Sequence, residues 1–134
     1  MLSFEIITPE KTLVKEEVEM VEAKGAIGEF GILPGHTQFL TTLQIGEIRY
    51  MKEGKTMHLA GSGGFAEVVE DKVVFLLDTA EFAEHIDVER AKRAHERAEA
   101  AIKSISFDDA EYRIHELALL RAIARISVAS KNLG

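Results

Sequence analysis

The fold is decided at one segment, Thr79-Ala-Glu-Phe-Ala-Glu-His-Ile-Asp-Val-Glu-Arg-Ala91. Before this segment, apolar residues alternate with polar ones or form short runs bounded by glycine, which is typical of strands. After it, they recur every three or four residues with no glycine or proline before Gly134, which is typical of helices. Asp87 is well placed to cap the first helix, because its carboxylate can accept a hydrogen bond from an unpaired backbone N–H. Asp87 and Arg90 also put an acid and a base on the first helical turn, so the segment is either a structural seam or a site for an anionic ligand.

The composition indicates a folded protein with a real core. The chain has 134 residues, of which 46% are hydrophobic, and this fits one compact domain or a small domain with an appendage. It contains no cysteine, which excludes disulfides and thiolate chemistry. No apolar run approaches the roughly 18 residues needed to span a bilayer. Any association with a membrane is therefore expected to be indirect, through a partner.

The net charge of −7 is unevenly distributed. Residues 1–84 hold 7 basic and 15 acidic residues, whereas residues 85–134 hold 9 basic and 8 acidic ones. An acidic body argues against nucleic-acid binding, which needs a basic surface. After Glu116 the chain has only basic charges, at Arg121, Arg125 and Lys131. This basic end either suits an acidic protein surface or complements the helix dipole.

The first part of the chain has the pattern of many short strands. Leu2, Phe4 and Ile6 alternate with polar residues, and close turns are expected at 52–55 and 70–72. Glycine-dense segments at 25–36 and 61–64 indicate corners where a sheet bends. The run from Val73 to Leu77 is apolar on both faces, which predicts a central strand covered on both sides. We therefore predict an antiparallel β-sandwich or flattened barrel over residues 1–84.

The second part, residues 85–134, predicts an antiparallel two-helix hairpin. The first helix is expected from Val88 to Ser104, and the alanines on its apolar seam allow a partner helix to approach closely. Ser106-Phe-Asp-Asp109 is typical of a capping box that starts a second helix. The short connection favours an antiparallel pair. The seam of the first helix consists of Val88, Ala91, His95, Ala98, Ile102 and Ile105.

No motif in the chain indicates an enzyme. His95-Glu96 and His115-Glu116 begin like a zinc-protease signature, but neither is completed by a second histidine, so no metal site is predicted. Gly61-Ser-Gly-Gly64 is followed by a strand pattern and not by the helix that a phosphate-binding loop requires. No Gly-x-Ser-x-Gly nucleophile segment occurs.

Four arginines of the helical part form a candidate anion site. Arg90 and Arg97 are seven residues apart and share one helix face, while Arg121 and Arg125 are four apart on the second helix. An antiparallel hairpin would bring them together with Asp87. Guanidinium groups suit phosphate oxygens, and a carboxylate suits an adenine or a ribose. The alternative is that these charges are solvated and pair with the helix carboxylates Glu89, Glu96 and Glu99.

Five segments, in this order, carry a resemblance that covers the whole chain. The sequence resembles the ε subunit of F-type ATP synthases of bacteria. The segments are Leu2-Ser-Phe-Glu-Ile-Ile-Thr-Pro9, Gly28-Glu-Phe-Gly-Ile-Leu-Pro-Gly-His-Thr37, Leu59-Ala-Gly-Ser-Gly-Gly-Phe65, Ile86-Asp-Val-Glu-Arg-Ala91 and Glu116-Leu-Ala-Leu-Leu-Arg-Ala122.

The resemblance implies a non-catalytic subunit of the central stalk. In that family the sandwich docks on the γ subunit and on the ring of c subunits, coupling proton flow to rotation, so Glu29 and His36 are candidate rotor contacts. The hairpin is permissive when folded on the sandwich and blocks ATP hydrolysis when extended into the α and β subunits. The implied location is peripheral, at the cytoplasmic face of the bacterial inner membrane.

The resemblance also implies a regulatory ligand but no required cofactor. In some bacterial relatives ATP holds the hairpin folded through an Ile-Asp-x-x-Arg-Ala motif and arginines of the second helix. The alternative function, from a different class, is a free-standing ATP-sensing module, which would not need γ as a partner. The candidate ATP-binding residues in this chain are Ile86, Asp87, Arg90, Ala91, Arg97, Arg121 and Arg125.

Overall fold

Ten strands are followed by two helices in the computed structural model, which describes residues 1–131. A 3-10 turn at Ala83–His85 joins the two parts, and the helices are α1 (Val88–Ser104) and α2 (Ala110–Lys131). The predicted sandwich followed by a helical hairpin is confirmed. The strands are β1 (Leu2–Ile7), β2 (Thr12–Val18), β3 (Met20–Gly25), β4 (Gly28–Ile32), β5 (Phe39–Leu43), β6 (Gly46–Lys52), β7 (Lys55–Gly61), β8 (Gly64–Val69), β9 (Lys72–Leu77) and β10 (Ala80–Phe82).

The strands form one folded sheet in the order β10-β7-β6-β3-β5-β8-β9-β1-β2, with β4 added beside β3. Only one residue pair, Gly25 with Leu43, joins β3 to β5, and there the sheet divides into two halves that face each other. The pairing is antiparallel except between β1 and β9, which are parallel with Phe4 opposite Val73. The result is a sandwich that is nearly closed into a barrel.

The core lies between the two halves, as the alternation of β1 predicts. Leu2, Phe4 and Ile6 are all fully buried. The ring of Phe4 packs edge-on against Phe75 from β9 and against Tyr50 from β6, with centroids 5.1 Å and 5.3 Å away. Since β1 and β9 belong to one half and β6 to the other, this aromatic cluster joins the two layers.

The prediction that Val73 to Leu77 is covered on both faces is wrong. β9 is central in its half-sheet, between β8 and β1, and Val73, Phe75 and Leu77 point into the core. Leu76, however, is 49% exposed on the opposite face. The helices pack on the other half-sheet, so no part of residues 1–131 covers this side of β9.

The corner before β8 explains one glycine of the 61–64 segment. Gly64 has φ +155°, and a Cβ atom there would lie 1.9 Å from the carbonyl oxygen of Leu76. Only glycine permits this close approach of β8 to β9. The corner therefore serves the sheet, as the glycine-dense segment predicts.

The two helices pack closely because their contact is built from alanine. Ala91 and Ala98 of α1 and Ala122 of α2 are buried. Asp87 caps α1 as expected, since its carboxylate accepts a hydrogen bond of 3.1 Å from the N–H of Arg90. These features bear out the antiparallel hairpin that the spacing predicts.

The predicted capping box of α2 is wrong in its residues. The hydroxyl of Ser106 donates to the carboxylate of Asp108 and caps nothing. Asp109 takes over the capping role, because its carboxylate accepts a hydrogen bond of 2.9 Å from the N–H of Glu111. The helix begins at Ala110 as a result.

The hairpin rests on the outer face of β6, β7 and β10 through a small apolar cluster. We call this set the docking cluster; its members are Ala60, Ala83, Ile86, Val128 and Ala129. Beside it, the guanidinium of Arg125 pairs with the carboxylate of Glu81 on β10.

Replacing Val128 by alanine is expected to loosen the hairpin without unfolding the sandwich. Val128 is 1% exposed, so loss of its methyl groups should weaken docking by about 2 kcal/mol. Hydrogen exchange of the α2 amides should accelerate accordingly, while the strand amides keep their protection. Ile123→Ala on the exposed side of the same helix is the control, expected to change exchange by less than about 0.5 kcal/mol. Equal effects of the two substitutions would contradict the docking contact.

Candidate functional site

A cleft of about 600 Å³ opens where the hairpin meets the sandwich. Three of the four predicted arginines, Arg90, Arg121 and Arg125, line it. The sandwich contributes the opposite wall, from the end of β7 and the segment that leads into β10. The complete lining is Ser62, Asp78, Thr79, Ala80, Glu81, Arg90, Ala94, Ala118, Arg121, Ala122 and Arg125.

The alanine contact between the helices creates this arrangement. Ala94, Ala118 and Ala122 form the floor on the helical side, so the backbones approach closely and leave space above short side chains. Arg90 follows the cap of α1, and Arg121 and Arg125 lie one turn apart on α2. The antiparallel hairpin thus brings cations from both helices to one rim, as the spacing predicts.

The cleft holds three guanidiniums against two carboxylates, Asp78 and Glu81. Arg125 is already paired with Glu81. Within residues 1–131, neither Arg90 nor Arg121 makes an ion pair. The cleft therefore presents unneutralised positive charge, which suits an anionic ligand.

The alternative predicted from the sequence was that the arginines pair with Glu89, Glu96 and Glu99. In the part of the chain that the structure describes, these carboxylates do not pair with the four arginines. Glu89 lies 3.8 Å from Lys92, and Glu99 lies 3.7 Å from Lys103. Glu89 and Glu99 thus contact lysines of α1, and within residues 1–131 Glu96 makes no ion pair. In the cleft only Arg125 is paired, with Glu81, so Arg90 and Arg121 remain without a carboxylate partner among the described residues.

The remaining predicted site residues lie outside the cleft. The Asp87 carboxylate is used as the helix cap. Ile86 belongs to the docking cluster, and Ala91 is fully buried between the helices. Arg97 lies two turns farther along α1 and does not line the cleft. These residues shape the site or support it from behind, except for Arg97, which is remote from it.

Sequence reasoning missed the sandwich side of the cleft. Ser62 is hydrogen-bonded to Thr79 in both directions, with its hydroxyl 2.8 Å from the N–H and 3.2 Å from the carbonyl oxygen. Glu81 reaches the site because it pairs with Ala60 in the β7–β10 ladder. The only signal in the sequence was the polar character of Thr79 and Glu81 directly before the helical segment.

A second cleft, of about 550 Å³, lies between β2, the β6–β7 turn and the 3-10 turn. Its charges are compensated: Glu16 accepts hydrogen bonds from Lys52 at 2.9 Å and from the Tyr50 hydroxyl at 3.3 Å. Burial, followed by the nearby Glu16 carboxylate, raises the pKa of Tyr50 well above its ordinary value. The tyrosine therefore stays neutral, and the arrangement is structural. In residues 1–131 no group of three or more His, Cys, Asp or Glu is placed to hold a metal ion.

The candidate rotor contacts Glu29 and His36 do not touch each other. Glu29 is the second residue of β4, and its side chain is 73% exposed and 4.0 Å from Arg49. His36 follows the turn after β4, where its ring packs edge-on against Phe39 at 5.7 Å. Its Nδ1 lies 2.7 Å from the carbonyl oxygen of Thr37, which can only accept, so Nδ1 carries a proton.

An exposed apolar surface covers the half-sheet that the hairpin leaves free. We call it the outer apolar face; it comprises Leu40, Phe65 and Leu76, which are 70%, 55% and 49% exposed. Phe65 and Leu76 are directly opposite each other on β8 and β9, and Leu40 lies on the neighbouring β5. Glu67 lies opposite Leu40 and Thr42 lies opposite Phe65, so polar residues border the three apolar ones. Large apolar side chains exposed side by side are typical of a contact with another protein.

A sandwich with a free apolar face and a helical hairpin folded back on it defines a small accessory subunit of a larger assembly. Two family models match it: the ATP synthase delta/epsilon chain beta-sandwich domain over residues 1–83 and the long alpha-helix domain over residues 84–130. The chain belongs to the ATP synthase delta/epsilon chain family.

Curated relatives agree with this assignment over nearly the whole chain. The ATP synthase epsilon chain of Geobacter sulfurreducens is 52% identical over 130 residues, which is 97% of this chain and 94% of the relative. That of Geotalea daltonii is 50% identical over 131 residues, covering 98% and 95%. The predicted ε-type, non-catalytic subunit of an ATP synthase is thus confirmed.

Solved assemblies contain chains of the same fold. One chain in the Euglena gracilis mitochondrial ATP synthase, in a structure of OSCP, F1 and the c-ring, superposes with TM-score 0.80 at 29% identity, covering 99% of this chain and 81% of that one. A chain in the Tetrahymena thermophila central stalk and c-ring structure has TM-score 0.63 at 11% identity, with coverage of 99% and 96%, and supports the fold alone. Among the described helices, neither is long and apolar enough to cross a membrane.

Proposed function

We propose that this chain docks on the γ subunit and the c ring of an F-type ATP synthase, couples their rotation to ATP synthesis, and inhibits ATP hydrolysis through its hairpin. The observation that carries the proposal is the small buried contact between the hairpin and the sandwich: among the described residues the docking cluster has five buried members, three of them alanines, and the Arg125–Glu81 pair lies beside it. An element held this weakly is suited to exist in two positions. The location that follows is peripheral, at the cytoplasmic face of the bacterial inner membrane.

The outer apolar face is the proposed docking surface for γ. It lies on β5, β8 and β9, whereas the hairpin lies on β6, β7 and β10, so a partner can bind it whatever the hairpin does. The Euglena chain occurs in an assembly described as OSCP, F1 and c-ring, which supports another subunit of such an assembly as the occupant. Glu29 and His36, outside this face, are the proposed contacts with the c ring.

The apolar residues of α2 support an inhibitory second position. In the folded position Ala122, Val128 and Ala129 are buried, while Ile114 and Ile123 remain 62% and 45% exposed. Because α2 is apolar on two sides, burial of the second side as well would stabilise the helix in its new position. Extension between the α and β subunits would cover the second side, and Arg121 and Arg125 would then meet acidic surfaces.

The cleft supports ATP as the ligand that favours the folded position. Its volume of about 600 Å³ lies in the range of small-molecule sites, roughly 300–1,000 Å³. A triphosphate there would contact α1, α2 and the sandwich at once, through Arg90, Arg121 and Arg125. Binding to one state only stabilises that state, by about 2.7 kcal/mol at a hundredfold excess over Kd. The same cleft would serve a free-standing ATP sensor, and co-purification with γ separates the two functions.

Phe65→Glu is expected to weaken binding to γ tenfold or more, because it places a charge in the centre of the outer apolar face. Phe107→Glu is the matched control: Phe107 is 80% exposed at the tip of the hairpin, outside this face, and its loss should leave the affinity unchanged. The measurement is the dissociation constant for purified γ. If the chain is a free-standing ATP sensor, the wild-type protein should not bind γ at all.

Isothermal calorimetry with ATP tests the cleft. Wild type should bind saturably, and Arg90→Ala should weaken binding tenfold or more, since a charge-assisted hydrogen bond contributes about 1.5–3 kcal/mol. Arg97→Ala removes an arginine of the same helix that lies outside the cleft, and should bind as wild type. Absence of binding at millimolar ATP would make Asp87 a helix cap only and leave Arg90 a surface charge.

Deleting residues 86–134 tests the inhibitory role of the hairpin. The main core contains no residue beyond Leu77, so the shortened chain should keep the sandwich and its place in the assembly. ATP hydrolysis by the complex should rise. Equal rates for complexes with the full and shortened chains would refute inhibition.

A further inference from the structure

The turn that precedes His36 has a specific peptide orientation. In Leu33-Pro-Gly-His36 the N–H of His36 donates to the carbonyl of Leu33 at 3.1 Å, and Gly35 has φ +85°. Proline in the second place and a glycine with positive φ in the third define a type II turn. The Pro34–Gly35 peptide points in opposite directions in type I and type II turns. A contact made by this peptide with another part of the sandwich would fix where the turn, and with it His36, lies relative to the sheet.

A distant carboxylate fixes that peptide. The N–H of Gly35 donates a hydrogen bond of 2.7 Å to Asp71, which lies 36 positions later in the turn between β8 and β9. This N–H is the group that reverses when the turn changes type, so the Asp71 carboxylate favours type II. A hydrogen bond to a charged acceptor is stronger than one between neutral groups.

Asp71 occupies a backbone conformation that glycine would adopt more easily. Glu70 and Asp71 form a two-residue turn with φ +47° and +62°, where hairpins usually place Asn-Gly or Asp-Gly. Glycine at position 71 would relieve the backbone but would supply no acceptor. The carbonyl of Asp71 also accepts the N–H of Ser3 at 2.8 Å, which anchors the turn to β1.

We infer that Asp71 is a positioning residue for the rotor-facing turn: its carboxylate ties the Pro34–Gly35 peptide to the β8–β9 turn and thereby holds His36 in place against the sandwich. The inference rests on the proposed function, in which His36 contacts the c ring. The imidazole is held on its other side by Phe39 and by the carbonyl of Thr37. Asp71 thus supplies the contact that orients the backbone, and the other two orient the ring.

Three substitutions distinguish the effect of the Asp71 carboxylate from the effect of the backbone conformation of the turn. Asp71→Gly removes the acceptor and relieves the left-handed conformation, Asp71→Asn keeps an oxygen acceptor in a residue that tolerates this conformation, and Glu70→Gly relieves the neighbouring residue only. The first measurement is hydrogen exchange of the Gly35 amide by NMR in the full chain. Asp71→Gly should accelerate it tenfold or more with no loss of Tm, whereas Asp71→Asn and Glu70→Gly should retain most of the protection. Unchanged exchange in Asp71→Gly would overturn the inference.

The second measurement is the ratio of ATP-driven proton pumping to ATP hydrolysis in the reconstituted ATP synthase, with His36→Ala as a further variant. The inference expects both Asp71→Gly and His36→Ala to lower this ratio and Asp71→Asn to restore it. A lowered ratio in His36→Ala with a normal one in Asp71→Gly overturns the positioning role and leaves the rotor contact intact. A normal ratio in His36→Ala refutes the proposed rotor contact, and with it the role of Asp71 in coupling.

Discussion

The interaction on which the arrangement of the two parts depends is the weak attachment of the helical hairpin to the sandwich. Full burial of a valine side chain such as Val128 contributes about 1.5–3 kcal/mol, and the other members of the docking cluster are mostly alanines, which contribute less. The Arg125–Glu81 pair is partly exposed, and pairs of this kind contribute about 1 kcal/mol or less. The contacts of the docking cluster thus contribute only a few kcal/mol to the folded position, which is within the reach of a ligand or a partner of ordinary affinity if the hairpin moves as proposed.

The positively charged cleft shares residues with the contact that attaches the hairpin to the sandwich. Arg125 belongs to the attachment, through Glu81, and also to the rim of the cleft, so an anion that recruits Arg125 acts directly on the attachment. The alanines that let the helices approach also make room for a ligand. Attachment and the proposed ligand site therefore share Arg125, so a ligand bound there would act on the attachment without a separate mechanism.

Features that depend on local periodicity could be predicted from the sequence. The alternation in β1 identified the core, and the cap at Asp87 and the alanine seam identified the hairpin. Features that depend on distant pairing could not: Glu81 enters the cleft only through the β7–β10 ladder. The pattern of β9 shows that Leu76 is apolar but not whether this chain covers it. At the start of α2, Ser106 and Asp109 can both cap a helix, and the local bond from Ser106 to Asp108 decided between them.

The parallel pairing of β1 with β9 also sets the order in which the molecule is built. Ser3 has its partner at Lys72, so the half-sheet containing the first residues made must wait for β9 to be synthesised. Once Leu77 has been added, every member of the main core is present, while no residue of either helix exists yet. Because N-terminal parts fold first during synthesis, the hairpin emerges onto a finished surface. If the hairpin opens as proposed, each later closure would repeat this first attachment to the sandwich.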